Sequence, residues 1–272
     1  MEIIIKPKKG LSVIDFKELW HYRELFYFLA WRDIKLRYKQ TVLGIVWAVL
    51  QPFLMMVVFS VVFGKIAGIS SDNIPYPIFS YVGLLLWNMF SNSLGNASQS
   101  LVGNPNLVQK VYLPRLILPA AAVIVTLVDF FFAFLVFGGI LIYYQFLPNF
   151  SGLLFLPIAI LITLIASLGL GSFLAAFNVR YRDVRYALPF FIQLLIFVTP
   201  VIYPVSVVSE NYRWILFLNP MTGAIETFKA MFLGTTSVDW MMFIISFSVS
   251  IILLIFGIWY FLRAEKTFAD LI

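Results

Sequence analysis

LILPAAAVIVTLVDFFFAFLVFGGILIYYQF, residues Leu116–Phe146, is 31 residues long and carries a single charge, Asp129. A membrane hydrocarbon core of about 30 Å is crossed by about 20 helical residues rising about 1.5 Å each. Five more apolar stretches flank it: Thr41–Phe63, Ile78–Val102, Leu153–Phe177, Leu188–Tyr203 and Trp240–Leu262. Of the six, only Leu188–Tyr203 is short, and it reaches spanning length by extending toward Val208. The sequence therefore predicts an all-α integral membrane protein with six transmembrane helices. Composition agrees, because 12% charged residues and 62% hydrophobic ones leave too little polar surface for a soluble domain, which carries about 25% charged.

Charge sets the orientation. With both termini cytoplasmic, 16 of the 19 lysines and arginines fall inside, and only Lys65, Arg213 and Lys229 fall outside. The positive-inside rule selects this topology over its reverse. It places the chain in the cell membrane with residues 1–40 as a cytoplasmic N-terminal segment, 41–262 as the transmembrane domain and 263–272 as a cytoplasmic tail. The net charge of +6 does not point to nucleic acid, since the basic residues sit in short juxtamembrane segments where topology and lipid headgroups account for them. Cysteine is absent, which excludes disulfides and thiolate metal sites. Lys6-Pro7-Lys8-Lys9 interrupts the only N-terminal apolar run, so no cleaved secretory signal is expected.

Ahead of the first span, Asp15 and Glu18 have the spacing of a capping box, with Ile14 and Leu19 placed as its hydrophobic staple. Leu19, Tyr22, Phe26 and Leu29 then recur at spacings of three and four, the stripe of an amphipathic helix. That helix ends in Trp31-Arg32-Asp33-Ile34-Lys35-Leu36-Arg37-Tyr38, residues suited to the headgroup layer or to a partner protein. Gln51-Pro52 predicts a kink in the first span. The second span turns polar in its latter half, from Asn88 through Ser91, Asn92, Ser93, Asn96, Ser98, Gln99 and Ser100. Such side chains must face other helices or a wet cavity, and both uses can hold at once. Asp129 is expected to serve structure through a helix–helix partner, because no second ionisable group in the spans offers a proton relay.

Between the fifth and sixth spans, Ala224–Leu233 is apolar but too short to cross, and Gly234 stops it. A re-entrant or interfacial helical hairpin on the outer side is expected there, with Glu226 and Lys229 paired three residues apart. No phosphate-binding glycine loop exists, since Gly64-Lys65 is followed by Ile66 and lacks the preceding glycine. One histidine and no cysteine leave no transition-metal cluster. Enzymatic chemistry and a bound cofactor are therefore not expected of this chain. The cytoplasmic segments 104–115 and 178–186 are short, charged and suited to topogenesis or docking.

Four motifs in order carry a resemblance over nearly the whole chain: Trp31-Arg32-Asp33-Ile34-Lys35 through Gly44 with Trp47–Pro52, Tyr181-Arg182-Asp183-Val184-Arg185-Tyr186, Thr199–Pro204, and Asn219-Pro220-Met221. The chain resembles the permease family of ABC-2 type polysaccharide exporters, which export O-antigen, capsule and teichoic acid. The resemblance implies a homodimer with a channel between subunits, two separate ATPase subunits that bind ATP and magnesium, and a lipid-linked glycan as cargo. It places the ATPase stroke on segments 15–38, 104–113 and 180–186, with Asn106, Leu107, Lys110, Arg180, Arg182, Asp183 and Arg185 as coupling candidates. It makes 206–234 a gate, with Glu226 and Lys229 in it. Aromatic faces pack against the CH faces of sugars while amides bond hydroxyls, so Phe79, Tyr81, Trp87, Asn88, Phe90, Asn92, Asn96 and Gln99 are channel-lining candidates. Rival readings are a drug or lipid exporter of the same architecture, which would favour an apolar cavity. A membrane-bound glycosyltransferase would need clustered carboxylates, and a secondary carrier would need paired buried charges or an inverted repeat.

Overall fold

A computed structural model describes residues 16–39, 44–72, 74–234 and 237–271. Every regular element among them is helical. Two N-terminal helices, α1 (Phe16–His21) and α2 (Arg23–Lys39), precede α3 (Ile45–Phe59), which continues as a π-helical segment over Ser60–Ile66. Then come α4 (Tyr76–Gln99), α5 (Pro105–Lys110), α6 (Ile117–Tyr143), α7 (Phe150–Arg180) and α8 (Val184–Val198). The chain ends in α9 (Glu210–Phe217), α10 (Pro220–Leu233), α11 (Trp240–Ala264) and the short α12 (Phe268–Leu271).

Four segments are long and apolar enough to cross a membrane: Val46–Ile66, Ile117–Tyr143, Phe150–Arg180 and Trp240–Thr267. The expected second and fifth spans do not meet that test. α4 has the length, at 24 residues, but its amides and serines remove it from the apolar class. α8 is only 15 residues long, a rise of about 22 Å. It begins earlier than expected and stops at Thr199, because Pro200 cannot continue it. The fourth apolar stretch runs further than expected, to Arg180, leaving only a tight turn before α8. The expected capping box at Asp15 and Glu18, the staple at Ile14, and residues 41–43 of the first span lie outside the described residues or side chains.

The polarity of α4 is explained by its place. It packs against α3, α6, α7, α8 and α10, and Ile78, Tyr81, Val82, Leu84 and Leu86 are fully buried along it. Helices on most of its sides leave α4 little lipid-facing surface to keep apolar, and its amides gather on the remaining face, with Asn88, Asn92 and Asn96 half-buried and Gln99 exposed. Around this axis, α7 and α11 approach backbone to backbone at Gly169 and Gly257. A Cβ on Gly257 would lie 1.9 Å from the Gly169 carbonyl oxygen. Small residues permit such contact where no hydrophobic force drives helices together.

The core divides in two along the bundle. One cluster joins α4 to α10 and the middles of α6 and α7. The other gathers Leu29 of α2, Val108 of α5, Leu118 and Ala121 of α6, Val179 of α7 and Phe261 of α11 at a single end, with Phe268 of α12. The stripe Leu19, Tyr22, Phe26 and Leu29 turns onto this second cluster, although a turn at Tyr22 splits the expected single helix. Trp20, Tyr27, Phe28 and Trp31 point outward and remain exposed.

Candidate functional site

The end that holds the second cluster presents the α4–α6 connection and lies next to the α7–α8 turn. Pro105 starts α5, and Val108 buries its inner face. Asn106 and Lys110 are exposed and Leu107 is half-buried. The α7–α8 turn exposes Arg180, Arg182, Asp183 and Arg185. Arg115 fixes α5 to the end of α11: its backbone N–H donates to Glu265 Oε1 at 3.1 Å, and its guanidinium donates to the Glu265 carbonyl. Segment 104–113 thus shares an apolar base with α2 and with Val179 at the end of α7, next to the turn 180–186, whose Val184 packs into the first cluster instead.

Along α4, Asn88, Asn92, Asn96 and Gln99 fall on one face, since spacings of four and three bring side chains into line. They line two cavities. The first, of about 190 Å³, is bounded by Asn88, Asn92, Gln51, Trp47, Arg37 and Asp129. The second, of about 290 Å³, is bounded by Asn96, Gln99, Arg32, Asp33 and again Arg37, with α6 as its apolar wall. Pro52 cannot donate to the Ala48 carbonyl, and both residues lie on the wall of the first cavity. The Asn88 Nδ2 donor is buried without a hydrogen-bond partner among the described residues.

The serines of α4 do something else. Ser93 Oγ and Thr126 Oγ1 share a hydrogen bond of 2.6 Å, and the Ser98 carbonyl accepts from Asn178 Nδ2 at 3.0 Å. Ser91 and Ser100 bond to their own helix backbone. The polar half of α4 therefore serves both uses at different residues. Ser93 joins two helices, the other serine hydroxyls turn back on their own helix, and the amides face cavities.

The four aromatic candidates are packed inside the protomer. Phe79, Tyr81, Trp87 and Phe90 are each no more than 3% exposed. Tyr81 stacks on Phe137 with centroids 5.4 Å apart and donates to the Ala133 carbonyl. Tyr38 and Phe130 border the first cavity, and so does Trp47. With Gln51, Arg37 and Tyr38, it was not among the candidates from sequence. Its only signal was membership of the Trp47–Pro52 motif.

Asp129 is buried in α6, and both its oxygens are occupied. Oδ2 accepts from Arg37 Nη1 and Oδ1 from the Tyr38 hydroxyl. Its partners thus come from the N-terminal helix rather than from another span. Arg32 Nη2 donates to Asn104 Oδ1 at 3.1 Å, where α4 gives way to α5.

At the opposite end, α9 and α10 form a hairpin closed by Asn219. Its Oδ1 caps α10 by accepting from the Met221 N–H, and its Nδ2 donates to Thr199 Oγ1. Gly234 ends α10 with φ 70°, a left-handed cap that a glycine adopts without strain. Lys229, only 3% exposed, donates to the Pro200 carbonyl at 2.6 Å and the Val201 carbonyl at 3.2 Å. The Glu226 carboxylate lies 3.4 Å from its Nζ, forming the expected pair, and the ring of Phe79 lies 3.9 Å beneath it. Two carbonyls of the turn that follows α8 are thereby satisfied by a buried ammonium, while the Tyr203 hydroxyl bonds the helix-end carbonyls of Phe197 and Val198.

The family model described as ABC-2 type transporter matches residues 24–233. An O-antigen export system permease protein, RfbA, of Myxococcus xanthus is 34% identical over 219 residues, 79% of this chain and 83% of its own. A protein of the same description from Klebsiella pneumoniae is 26% identical over 242 residues, 89% of this chain and 92% of its own. The polysialic acid transport protein KpsM of Escherichia coli is 24% identical over 200 residues, 72% of this chain and 76% of its own.

Proposed function

We propose, from the premise that the chain belongs to the ABC-2 type transporter family, that it exports a lipid-linked polysaccharide of O-antigen type across the cell membrane. It is the permease subunit of such an exporter. The observation that carries the cargo is the near full-length similarity to permeases named for O-antigen export. The amide stripe of α4 supports it, because hydroxylated cargo needs donors and acceptors along its route, and a drug or lipid exporter does not.

In this reading the four apolar segments are joined by two further crossings. α4 crosses because its neighbours leave it little lipid-facing surface, and α8 crosses with its outer end completed by the Thr199–Pro204 turn. Six crossings return both termini to one side, and the cationic end that holds α2, α5 and the α7–α8 turn is the cytoplasmic one. The α9–α10 hairpin is the re-entrant outer gate, tolerated in lipid because α10 is buried in protein. Two copies of the chain enclose the path, and two separate ATPase subunits, which hold ATP and magnesium, dock on the cytoplasmic end. Asn106, Leu107, Lys110, Arg180, Arg182, Asp183 and Arg185 form that docking surface.

Affinity purification of the full chain from its own cells tests the reading. Two ATPase subunits are expected to accompany two copies of the chain, with hydrolysis stimulated by lipid-linked polysaccharide extracted from the same membranes. Glycosyl transfer or transport by the chain alone would contradict it.

A further inference from the structure

The N-terminal helix is fastened at two depths. At the cytoplasmic end, Arg32 bonds Asn104 at the α4–α5 junction, and Asn104 Nδ2 in turn donates to the Ser100 carbonyl of α4. Five residues further along α2, Arg37 and Tyr38 close on Asp129. Asp129 lies 12 residues from Ile117, the start of α6, and so about 18 Å along that helix, near the middle of a crossing. Arg37 also lies on the walls of both polar cavities, and Asp129 on the wall of the first.

The inner fastening differs in kind from a surface pair such as Arg213–Glu210, which is 3.7 Å apart with its carboxylate 87% exposed against 11% for Asp129. That pair can open to water at little cost. Separating Arg37 from Asp129 would leave an uncompensated carboxylate beside apolar Phe130 and Ala133, which is costly inside a membrane. Whatever moves α2 must therefore carry the middle of α6 with it. The Arg32–Asn104 contact delivers the same movement to α5.

We propose that Asp129 is a positioning residue for export: the Arg37–Tyr38–Asp129 joint transmits displacement of the N-terminal helix to the amide-lined cavities halfway through the membrane. The proposal rests on the export reading above. In it, α2 works as a lever whose inner end is pinned to α6 and whose outer part meets the driving subunit. The joint is made by hydrogen bonds to both carboxylate oxygens, so an amide at position 129 keeps the shape and removes the ion pair.

The test uses the full complex with its own ATPase in proteoliposomes, with lipid-linked polysaccharide from the source membranes as probe. ATP hydrolysis and polysaccharide translocated are measured together. For D129N, hydrolysis is expected to stay within twofold of wild type while polysaccharide moved per ATP falls about tenfold. D129E is expected to restore at least half of the wild-type ratio. R37M is expected to match D129N, and the double variant to be no worse than either, as for two ends of one contact. Y38F, which leaves the ion pair intact, decides the matter if D129N does not assemble: a partial fall in the ratio at unchanged complex yield supports the joint. A wild-type ratio in D129N or in Y38F overturns it, as does a loss of export that only follows loss of assembled complex. If the wild-type complex hydrolyses no ATP with the probe, the export reading fails first and takes this inference with it.

Discussion

Lys229 is the residue on which the α9–α10 hairpin turns. Its ammonium holds two carbonyls of the Thr199–Pro204 turn, a carboxylate and an aromatic face, and Glu226 also accepts from the Val205 backbone. Replacing it by methionine leaves those acceptors and the Glu226 charge buried without a partner, a cost of about 3–5 kcal/mol for breaking a buried pair from one side. Glu226→Gln leaves Lys229 its two carbonyls and the Phe79 ring, so its loss is expected to be smaller. Thermal unfolding of the detergent-purified protein should rank wild type above E226Q above K229M; equal effects would refute the cage. The pair itself was legible from its spacing of three, but the carbonyls were not. Nothing in a local pattern says which turn will end beside a lysine 29 positions later. The same holds for Asp129, whose expected helix–helix partner proved to lie 92 positions upstream.

At the scale of elements, the apolar stretches located the helices well and their neighbours poorly. Hydropathy reports what solvent a segment tolerates, so it separates membrane from water but does not say that α4 is packed by helices on all but its amide face. For that reason Phe79, Tyr81, Trp87 and Phe90 read as a lining and are packing, while the amides Asn88, Asn92, Asn96 and Gln99 do face space. Helix ends shifted where a proline or a turn, rather than polarity, set the boundary, as at Thr199. Glycines illustrate the same gap. Gly257→Ala is expected to force α7 and α11 apart and cost about 1–3 kcal/mol, because the added methyl meets the Gly169 carbonyl. Gly138→Ala, with open space around its Cβ, is expected to be neutral or slightly stabilising. Denaturant titration of the two variants checks this, and equal losses would contradict the close approach of α7 to α11.

For the whole molecule, charge and packing converge. The cations that suggested orientation lie mostly on α2, α5 and the α7–α8 turn, and α2, α5 and the end of α7 that leads into that turn share one apolar base with α12. Seating them on a common core means that a push on any of them acts on the others as a body, which is what coupling to a separate motor requires. The gathering was only partly visible in the sequence: the segments were read one by one, and their convergence comes from how α6, α7 and α11 cross. The amide-lined cavities stand between that end and the α9–α10 hairpin, so the assignment as a polysaccharide export permease is a claim about where the polymer goes. The most direct measurement is the location of lipid-linked polysaccharide in cells lacking this chain but retaining the ATPase and the biosynthetic enzymes. The expected result is full-length polymer trapped on the cytoplasmic side and restored to the surface by the wild-type chain. Polymer reaching the surface undiminished without the chain would contradict the account.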